Sequence, residues 1–302
     1  MDCIYAEIKA TREGCRACRS AIESSAPDGE SLPYTLGLRA GWLTDIHLNF
    51  VSTGKRSRFY AQLRDEHLDA ILLGGDIGEA DSVIQFLTEI ERSLGIPIYF
   101  VLGNHDFYHG SIAGVRETIA RRVAGSRWLR WLPASGVVSL TDNTALVGHD
   151  SWADGRFGYF FRSDVMLNDY ALIAELRGLT WAERFAKLNA LGDEAAEFLG
   201  DRVLEALSQR RHIVVLTHVP PFRESCWHEG HISNDDYLPH FACRAVGERF
   251  ADIMRVHPDS MMKVLCGHTH SSGVARILSN LEVFTGDAKY GEPRLQQVFE
   301  LE

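Results

Sequence analysis

Six short apolar runs recur along the chain, and each one stops at a threonine or a glycine. The runs are LRAGWL before Thr44, DAILL before Gly74, PIYFVL before Gly103, TALV before Gly148, HIVVL before Thr217 and MMKVLC before Gly267. They are rich in Val, Ile and Leu and do not alternate with polar residues, which is typical of strands covered on both faces of a sheet. A chain with this pattern must bury its strands between other layers.

Helical patterns lie between these runs. ADSVIQFLTEIERSLG is closed by Gly95, with Pro97 just beyond, which is a helix-ending signal. TWAERFAKLNAL opens with Thr180 and Glu183 at capping-box spacing, and a second helical pattern, GDEAAEFLGDRVLEALSQRR, follows it. Strands that alternate with helices predict an α/β layered fold.

The domain organisation follows from where this pattern begins and where it is interrupted. Residues 1–35 lack periodicity and end in the polar stretch SSAPDGESLP, so we expect a loosely ordered extension. Residues 36–302 are expected to form one domain. A helical insertion at about 160–210 would either cap a site or decorate the surface. The tail after residue 272 predicts short strands joined by turns, in antiparallel arrangement.

Composition excludes some classes of protein and disfavours others. No apolar stretch approaches the roughly 18 residues of a membrane span, and the N-terminus has no apolar core of signal-peptide type. The formal net charge of −10 disfavours a nucleic-acid substrate. The six cysteines are interpreted as mostly reduced thiols, and the C-x-x-C at Cys15 and Cys18 has no second pair. We expect a cytoplasmic protein, while the oligomeric state stays open.

Polar side chains follow five of the apolar runs directly. They are Asp45 and His47, Asp76, Asn104 with His105 and Asp106, His218, and His268 with His270. The carboxyl ends of parallel strands lie along one edge of a sheet, and ligands bind there. Residues i and i+2 leaving a strand point to the same side. The sequence therefore predicts one crevice lined by carboxylates, an amide and imidazoles.

A metal explains why these groups would be gathered. Burying two aspartates among several imidazoles has a desolvation cost on the order of several kcal/mol for each charge that lacks a partner. A divalent metal removes this cost, because it binds carboxylate and neutral imidazole. Nitrogen and oxygen ligands without thiolate suit Mn, Fe, Zn, Co or Ni. Seven candidate ligands are too many for one ion, so two ions that share a carboxylate are predicted, with Mn or Fe favoured.

The ordered series DIH, GD, GNHD, H and GHTH resembles the calcineurin-like metallophosphoesterase superfamily. The resemblance covers about residues 37–290 and implies a four-layer α/β/β/α sandwich, two mostly β sheets flanked by helices, with a dinuclear metal centre at the strand ends. It also implies a role for each matching residue. Asp45, His47 and His270 would hold one metal, Asn104, His218 and His268 would hold the other, Asp76 would bridge the two, and His105 would face the substrate with Asp106 orienting it.

The implied activity is metal-dependent hydrolysis of a phosphomonoester or phosphodiester. Phosphomonoester hydrolysis needs accelerations of up to about 10²¹-fold, and a pair of metals supplies hydroxide for attack at phosphorus and stabilises the departing oxygen. His105 would donate a hydrogen bond to the phosphoryl group or protonate the leaving oxygen. Further residues near the same edge are candidate substrate contacts: His149, Asp150, Arg156, Tyr108 and His109.

Alternatives remain at this point. The substrate is expected to be a small or exposed phosphoester, but a Ser/Thr protein phosphatase or a nuclease of the same fold would carry the same motifs. From a different class, a metal-bound scaffold for protein contacts would also fit. The intact ligand set and His105 disfavour the scaffold.

Overall fold

The computed structural model describes residues 37–302. The predicted N-terminal extension and the Cys15/Cys18 pair lie outside the described residues. The strands are β1 (Leu38–Leu43), β2 (Ala70–Gly74), β3 (Ile98–Val101), β4 (Leu129–Trp131), β5 (Val138–Ser139), β6 (Thr144–His149), β7 (His212–Thr217), β8 (Trp227–His228), β9 (His231–Ile232), β10 (Met261–Cys266), β11 (Gly273–Leu278), β12 (Leu281–Thr285) and β13 (Gln297–Leu301). The helices are α1 (Thr53–Asp65), α2 (Val83–Leu94), α3 (Ile112–Ala124), α4 (Leu132–Ser135), α5 (Asp169–Leu172), α6 (Trp181–Leu207), α7 (Leu238–Phe241) and α8 (Arg244–Arg255).

The strands form two large sheets, and the central strands of each sheet are parallel to one another. The first has the order β13-β1-β2-β3-β4, with β1 to β4 parallel and β13 antiparallel to β1. The second has the order β11-β12-β10-β7-β6-β5, with β12, β10, β7 and β6 parallel and antiparallel strands at both edges. All six apolar runs are strands, so that prediction is confirmed.

The sheets pack face to face, which is why their strands do not alternate with polar residues. Trp42 and Leu72 of the first sheet pack in one buried cluster with Leu146, Leu216 and Leu265 of the second. Full burial of one such side chain stabilises the fold by about 1.5–3 kcal/mol. The two sheets thus share an apolar interior layer.

Helices cover the outer faces of both sheets. Phe59 of α1 and Leu87 of α2 lie in the same buried cluster as Leu73 of the first sheet. Leu199 of α6 and Phe250 of α8 cluster with the strands of the second sheet. The resulting order is helix, sheet, sheet, helix, so the predicted α/β fold class is confirmed.

The local capping signals are also confirmed. Gly95 ends α2 in the left-handed conformation, with φ of 64°. Thr180 and Glu183 form a reciprocal capping box at the start of α6. The two helical patterns after Thr180 form one helix of 27 residues.

The tail departs in part from the antiparallel prediction. β11 is antiparallel to β12, and β13 is antiparallel to β1, as expected. β12, however, pairs in parallel with β10. β11 lies at the edge of the sheet, and the chain then turns back so that β12 fills the place between β11 and β10. β12 therefore runs antiparallel to β11 and parallel to β10. Within residues 37–302, none of the helices is long and apolar enough to cross a membrane.

Candidate metal centre

The strand ends of the two sheets bring four of the predicted ligands to one point. Asp45 and His47 follow β1, Asp76 follows β2, and His270 follows β10. One ligand atom from each of these four residues lies within 4.8 Å of the others. Because β1 and β2 belong to the first sheet and β10 to the second, this set spans the seam between the sheets.

A second set meets beside the first. Asn104 Oδ1 lies 2.9 Å from His218 Nε2 and 2.9 Å from His268 Nδ1. Asp76 Oδ1 is 3.4 Å from His218 Nε2, and Asp76 Oδ2 is 3.7 Å from His47 Nε2. Asp76 therefore lies between the two sets, one oxygen towards each.

The second set has the chemistry of a cation site. His218 Nδ1 is 2.9 Å from the Gly74 carbonyl oxygen, and His268 Nε2 is 3.2 Å from the His240 carbonyl oxygen. A carbonyl oxygen only accepts, so these two nitrogens carry the ring protons. The opposite nitrogens then direct lone pairs at Asn104 Oδ1, which is also an acceptor. Three acceptors at hydrogen-bond distance fit a metal ion that lies among them.

The ionisation of these groups favours the same conclusion. Burial lowers the pKa of His47 to about 2 and the pKa of His268 to about 3, so both rings are neutral at pH 7. Burial, together with repulsion from Asp45 and Asp106, raises the pKa of Asp76 well above its usual range. Burial and the neighbouring carboxylates therefore outweigh the His105 N–H that Asp76 accepts, whereas a bound cation would favour the charged carboxylate.

The backbone at the ligands is strained. Asp45, His47, Asp76, His268 and His270 all have positive φ, from 39° to 71°. Residues with a Cβ are uncommon in this region, and each costs of order 1–3 kcal/mol when the surroundings enforce it. This backbone conformation turns the side chains off the strand ends towards the place where the ligand atoms converge.

Two glycines allow this close approach. A Cβ on Gly267 would overlap Asp45 Oδ2 and Thr44 Oγ1, and a Cβ on Gly103 would overlap Asp76 Oδ1. His47 Nδ1 and His105 Nδ1 are buried and lack a hydrogen-bond partner among the described residues. The donor set and its packing thus fit divalent metal.

Comparison with known proteins decides the family. The sequence profile described as calcineurin-like phosphoesterase matches residues 38–272. This chain belongs to the calcineurin-like phosphoesterase family. Residues 38–272 therefore form a metallophosphoesterase domain, and the predicted superfamily is confirmed.

Individual relatives are more distant. A curated relative, "Transmembrane protein with metallophosphoesterase domain" from Danio rerio, is 30% identical over 125 residues, which is 39% of this chain and 25% of that protein. The match thus spans a quarter of that relative's length. A dimetal phosphatase from Danio rerio superposes with a TM-score of 0.54 at 15% identity, over 85% of this chain and 89% of that one. Phosphopantetheinyl hydrolase from Mycobacterium tuberculosis gives a TM-score of 0.59 at 13% identity, over 85% and 91%. At these identities the two structures show a shared fold.

The imidazole of His105 lies beside the ligands, and the His105 backbone N–H donates to Asp76 Oδ1 at 2.9 Å. Its Nε2 is 4.0 Å from Asp76 Oδ2, and its ring stacks on Tyr108 with centroids 4.2 Å apart. Burial, with a further contribution from His218, lowers the pKa of His105 to about 4. At pH 7 the ring is neutral, a state suited to donating a hydrogen bond.

Asp106 has contacts that differ from the expected orientation of His105. Its Oδ1 accepts the N–H groups of Ile77 and Gly78 at 2.9 and 2.8 Å, and its Oδ2 accepts the N–H of Gly103 at 2.9 Å. Asp106 therefore ties the loop after β2 to the loop after β3. It positions the backbone that carries His105 and Asn104, and its hydrogen bonds do not go to the imidazole.

Asp169 was not identified from the sequence, although it touches a predicted ligand. It is buried at the start of α5, and its Oδ1 accepts hydrogen bonds from Asn104 Nδ2 and from the Tyr108 hydroxyl, both at 2.8 Å. An amide whose nitrogen is bonded to a carboxylate must turn its oxygen the other way. Asp169 thus directs Asn104 Oδ1 towards His218 and His268.

A cavity of about 280 Å³ lies over the ligands. The insertion contributes residues 166–169 to its wall, and Phe241, Tyr108 and Tyr290 contribute aromatic rings. Helix α6, by contrast, packs with its later residues on the outer face of the second sheet, while Leu188 and Leu191 lie in the buried cluster of the first sheet. Of the insertion, residues 166–169 line the cavity, whereas α6 contributes no residue to its wall.

Of the other candidate substrate contacts, some line the cavity and some do not. Tyr108 lines the cavity. His109 is largely exposed, 3.8 Å from Glu79, and is not part of the lining. Arg156 bonds Asp154 and Asp193 and borders a different groove.

His149 and Asp150 also lie outside the lining. Asp150 is buried and accepts hydrogen bonds from the Leu102 N–H, Trp131 Nε1 and Arg116 Nε. His149 is buried as well, and its Nδ1 accepts the Ser151 N–H. The apolar run did bring these residues to the correct edge. Packing then turned them into the protein, so their assigned role as substrate contacts gains no support.

Proposed function

We propose that this metallophosphoesterase hydrolyses a small or exposed phosphomonoester or phosphodiester with two divalent cations. One observation carries the proposal: two adjoining ligand sets share Asp76. Asp45, His47 and His270 would hold one cation with Asp76, and Asn104, His218 and His268 would hold the other. The nitrogen and oxygen donors favour Mn or Fe, with Zn, Co and Ni also acceptable.

When bound, the cations would supply Lewis-acid stabilisation of the phosphoryl oxygens and a nucleophile from water at neutral pH. The chain's own residues would orient the substrate and hold the ligands in place. The neutral ring of His105 would donate a hydrogen bond to the phosphoryl group or to the leaving oxygen. Asp106 holds the loop that carries this ring, and Asp169 fixes the direction of the Asn104 oxygen.

The test combines metal analysis with an activity matrix. The metal-free chain would be loaded separately with Mn, Fe, Co, Zn or Ni and assayed on aryl phosphate and bis-aryl phosphate. We expect about two ions per chain and turnover with at least one metal, and the preferred ester would decide between monoesterase and diesterase. Asp76→Asn should lose one or both ions and activity together. Full activity with a single bound ion would refute the dinuclear proposal.

The cellular setting is a separate proposal. We propose a cytoplasmic protein, supported by Cys226, Cys243 and Cys266, which are buried free thiols. Burial raises the pKa of each of these thiols, so they remain protonated. Fractionation of cells that express the tagged full-length chain tests it, and recovery in a membrane or secreted fraction would contradict it.

A further inference from the structure

The cavity over the ligands is lined in an unexpected way for a site that receives an anion. Among the described residues that form its wall, none is Lys or Arg. Arg184 contacts one wall residue, Met166, at 3.7 Å from Sδ, but its guanidinium is buried and lies 4.2 Å from the centroid of the Tyr170 ring. The positive charge that meets a phosphoryl group here would therefore come from the metals.

Several large apolar and aromatic side chains lie at the mouth of the cavity. Met166 and Tyr290 line it and are 58% and 48% exposed, and Phe50, which is 53% exposed and lies outside the lining, makes an edge-to-face contact with Tyr290 with centroids 4.8 Å apart. Leu167 and Phe241 form further parts of the wall. Large apolar side chains grouped in this way at an opening mark a binding surface.

Tyr290 is placed directly beside the metal ligands. Its ring centroid is 4.6 Å from that of His47 and 5.2 Å from that of His270. A group attached to a phosphoryl bound at the ligands would lie against this ring.

We propose that the substrate carries a single phosphoryl group on a compact, uncharged, aromatic alcohol. The proposal rests on the proposed function and adds the chemistry of the leaving part. A second phosphate or a carboxylate on that part would lie beside Met166, Leu167 and Asp169, and no Lys or Arg of the cavity lining is there to pair with it. An aromatic ring instead gains contact with Tyr290 and Phe50. The volume of about 280 Å³ is at the lower end of small-molecule sites, which favours a compact group.

The experiment compares esters whose alcohols differ little in acidity. The Mn-loaded full chain would be assayed on benzyl, propyl and 4-carboxybenzyl phosphate, each as the monoester and as the methyl diester. We expect kcat/KM for benzyl to exceed that for propyl by about three- to tenfold, the range expected for a ring–ring contact. The carboxybenzyl ester should fall about tenfold or more below benzyl, because its added charge has no partner.

Two variants with opposite effects test the residues. Tyr290→Ala should reduce the benzyl-to-propyl ratio to near one, mainly through KM for the benzyl ester. Met166→Lys places a cation on an exposed wall position and should raise kcat/KM for the carboxybenzyl ester relative to benzyl. Tyr159→Ala is the matched control, because Tyr159 is 53% exposed and borders a different groove.

The outcomes separate this inference from the function on which it rests. Equal kcat/KM for benzyl and propyl, or for benzyl and carboxybenzyl, would overturn the inference and leave the phosphoesterase proposal standing. An unchanged ratio in Tyr290→Ala would do the same. If the metal-loaded chain hydrolysed none of the esters with any of the five metals, the proposed function itself would fail.

Discussion

Asp169→Ala is the most informative single substitution, because it frees the amide of Asn104 to rotate. In the wild type, a reversed amide would set Asn104 Oδ1 against the Asp169 carboxylate in place of a 2.8 Å hydrogen bond. In the variant this repulsion is gone. The amide nitrogen can then turn towards His218 Nε2 and His268 Nδ1 and donate to both, since each lies 2.9 Å from the present oxygen.

The size of the effect follows from those two bonds. Each hydrogen bond contributes a net free energy of about 1 kcal/mol, with a spread of about half that value. Metal binding must reverse the amide, which costs about 1–3 kcal/mol in all. At 1.4 kcal/mol per factor of ten, the affinity for one of the two ions should fall about 5- to 150-fold. The ion at Asp45, His47 and His270 should be affected much less.

The assay is calorimetric titration of metal into the metal-free chain, with a competing chelator for tight binding. Asp169→Asn should recover most of the loss, because both hydrogen bonds end on Oδ1 and a carboxamide keeps an oxygen there. Tyr108→Phe is the control, since it removes a buried hydroxyl and its longer 3.3 Å bond from Asn104 Nδ2 but leaves the 2.8 Å bond between Asp169 and Asn104. Melting curves would show that the variants are folded. Two sites of wild-type affinity in Asp169→Ala would refute the reasoning.

Three further outcomes are expected. Gly267→Ala should displace the Asp45 carboxylate and weaken metal binding at least about tenfold, measured by the same titration, whereas Gly125→Ala, whose Cβ would meet nothing within 4 Å, should bind normally. His105→Ala should retain its metals and lose about 10²–10⁴-fold in kcat, and a wild-type kcat would exclude the assigned role. The chelated, metal-free chain should lose stability as pH falls from about 6.5 towards 4, because His47, His268, His105 and His240 have folded pKa values of about 2, 3, 4 and 4 and so take up protons on unfolding. Each ring contributes up to about 1.4 kcal/mol per pH unit, and the raised pKa values of Asp76 and Asp106 offset part of this sum. Urea midpoints that stay constant over that range would contradict the assignment of these rings as buried and neutral.

The sequence predicted that the candidate ligands converge, because each of them follows an apolar run that forms a strand. Val264, Leu265 and Cys266 form a non-alternating run, so a strand buried on both faces was the one economical assignment. The ends of parallel strands must then lie at one edge. His268 and His270 were thus placed by topology alone, as were Asp45 and Asp76.

Residues that follow no such rule could not be found this way. Asp169 sits in an irregular insertion, and its approach to Asn104 depends on tertiary packing of the loop before α5. Tyr290 lies in a turn of the tail, 20 residues after His270, and only the path of β12 brings it over the site. His149 shows the converse failure. It ends a strand at the expected edge, yet its side chain faces the interior and not the crevice.

The ligands are divided between the two sheets, and this division has a consequence for the lifetime of the protein. Four of the candidate ligands follow strands of the first sheet: Asp45, His47, Asp76 and Asn104. The other three, His218, His268 and His270, follow strands of the second sheet. Bound ions would therefore clasp one half of the sandwich to the other, much as a cross-link does. Each ion held at 100 times its Kd would add about 2.7 kcal/mol against unfolding. Scarcity of metal would then expose the chain to proteases, so that supply of the ion governs abundance as well as turnover.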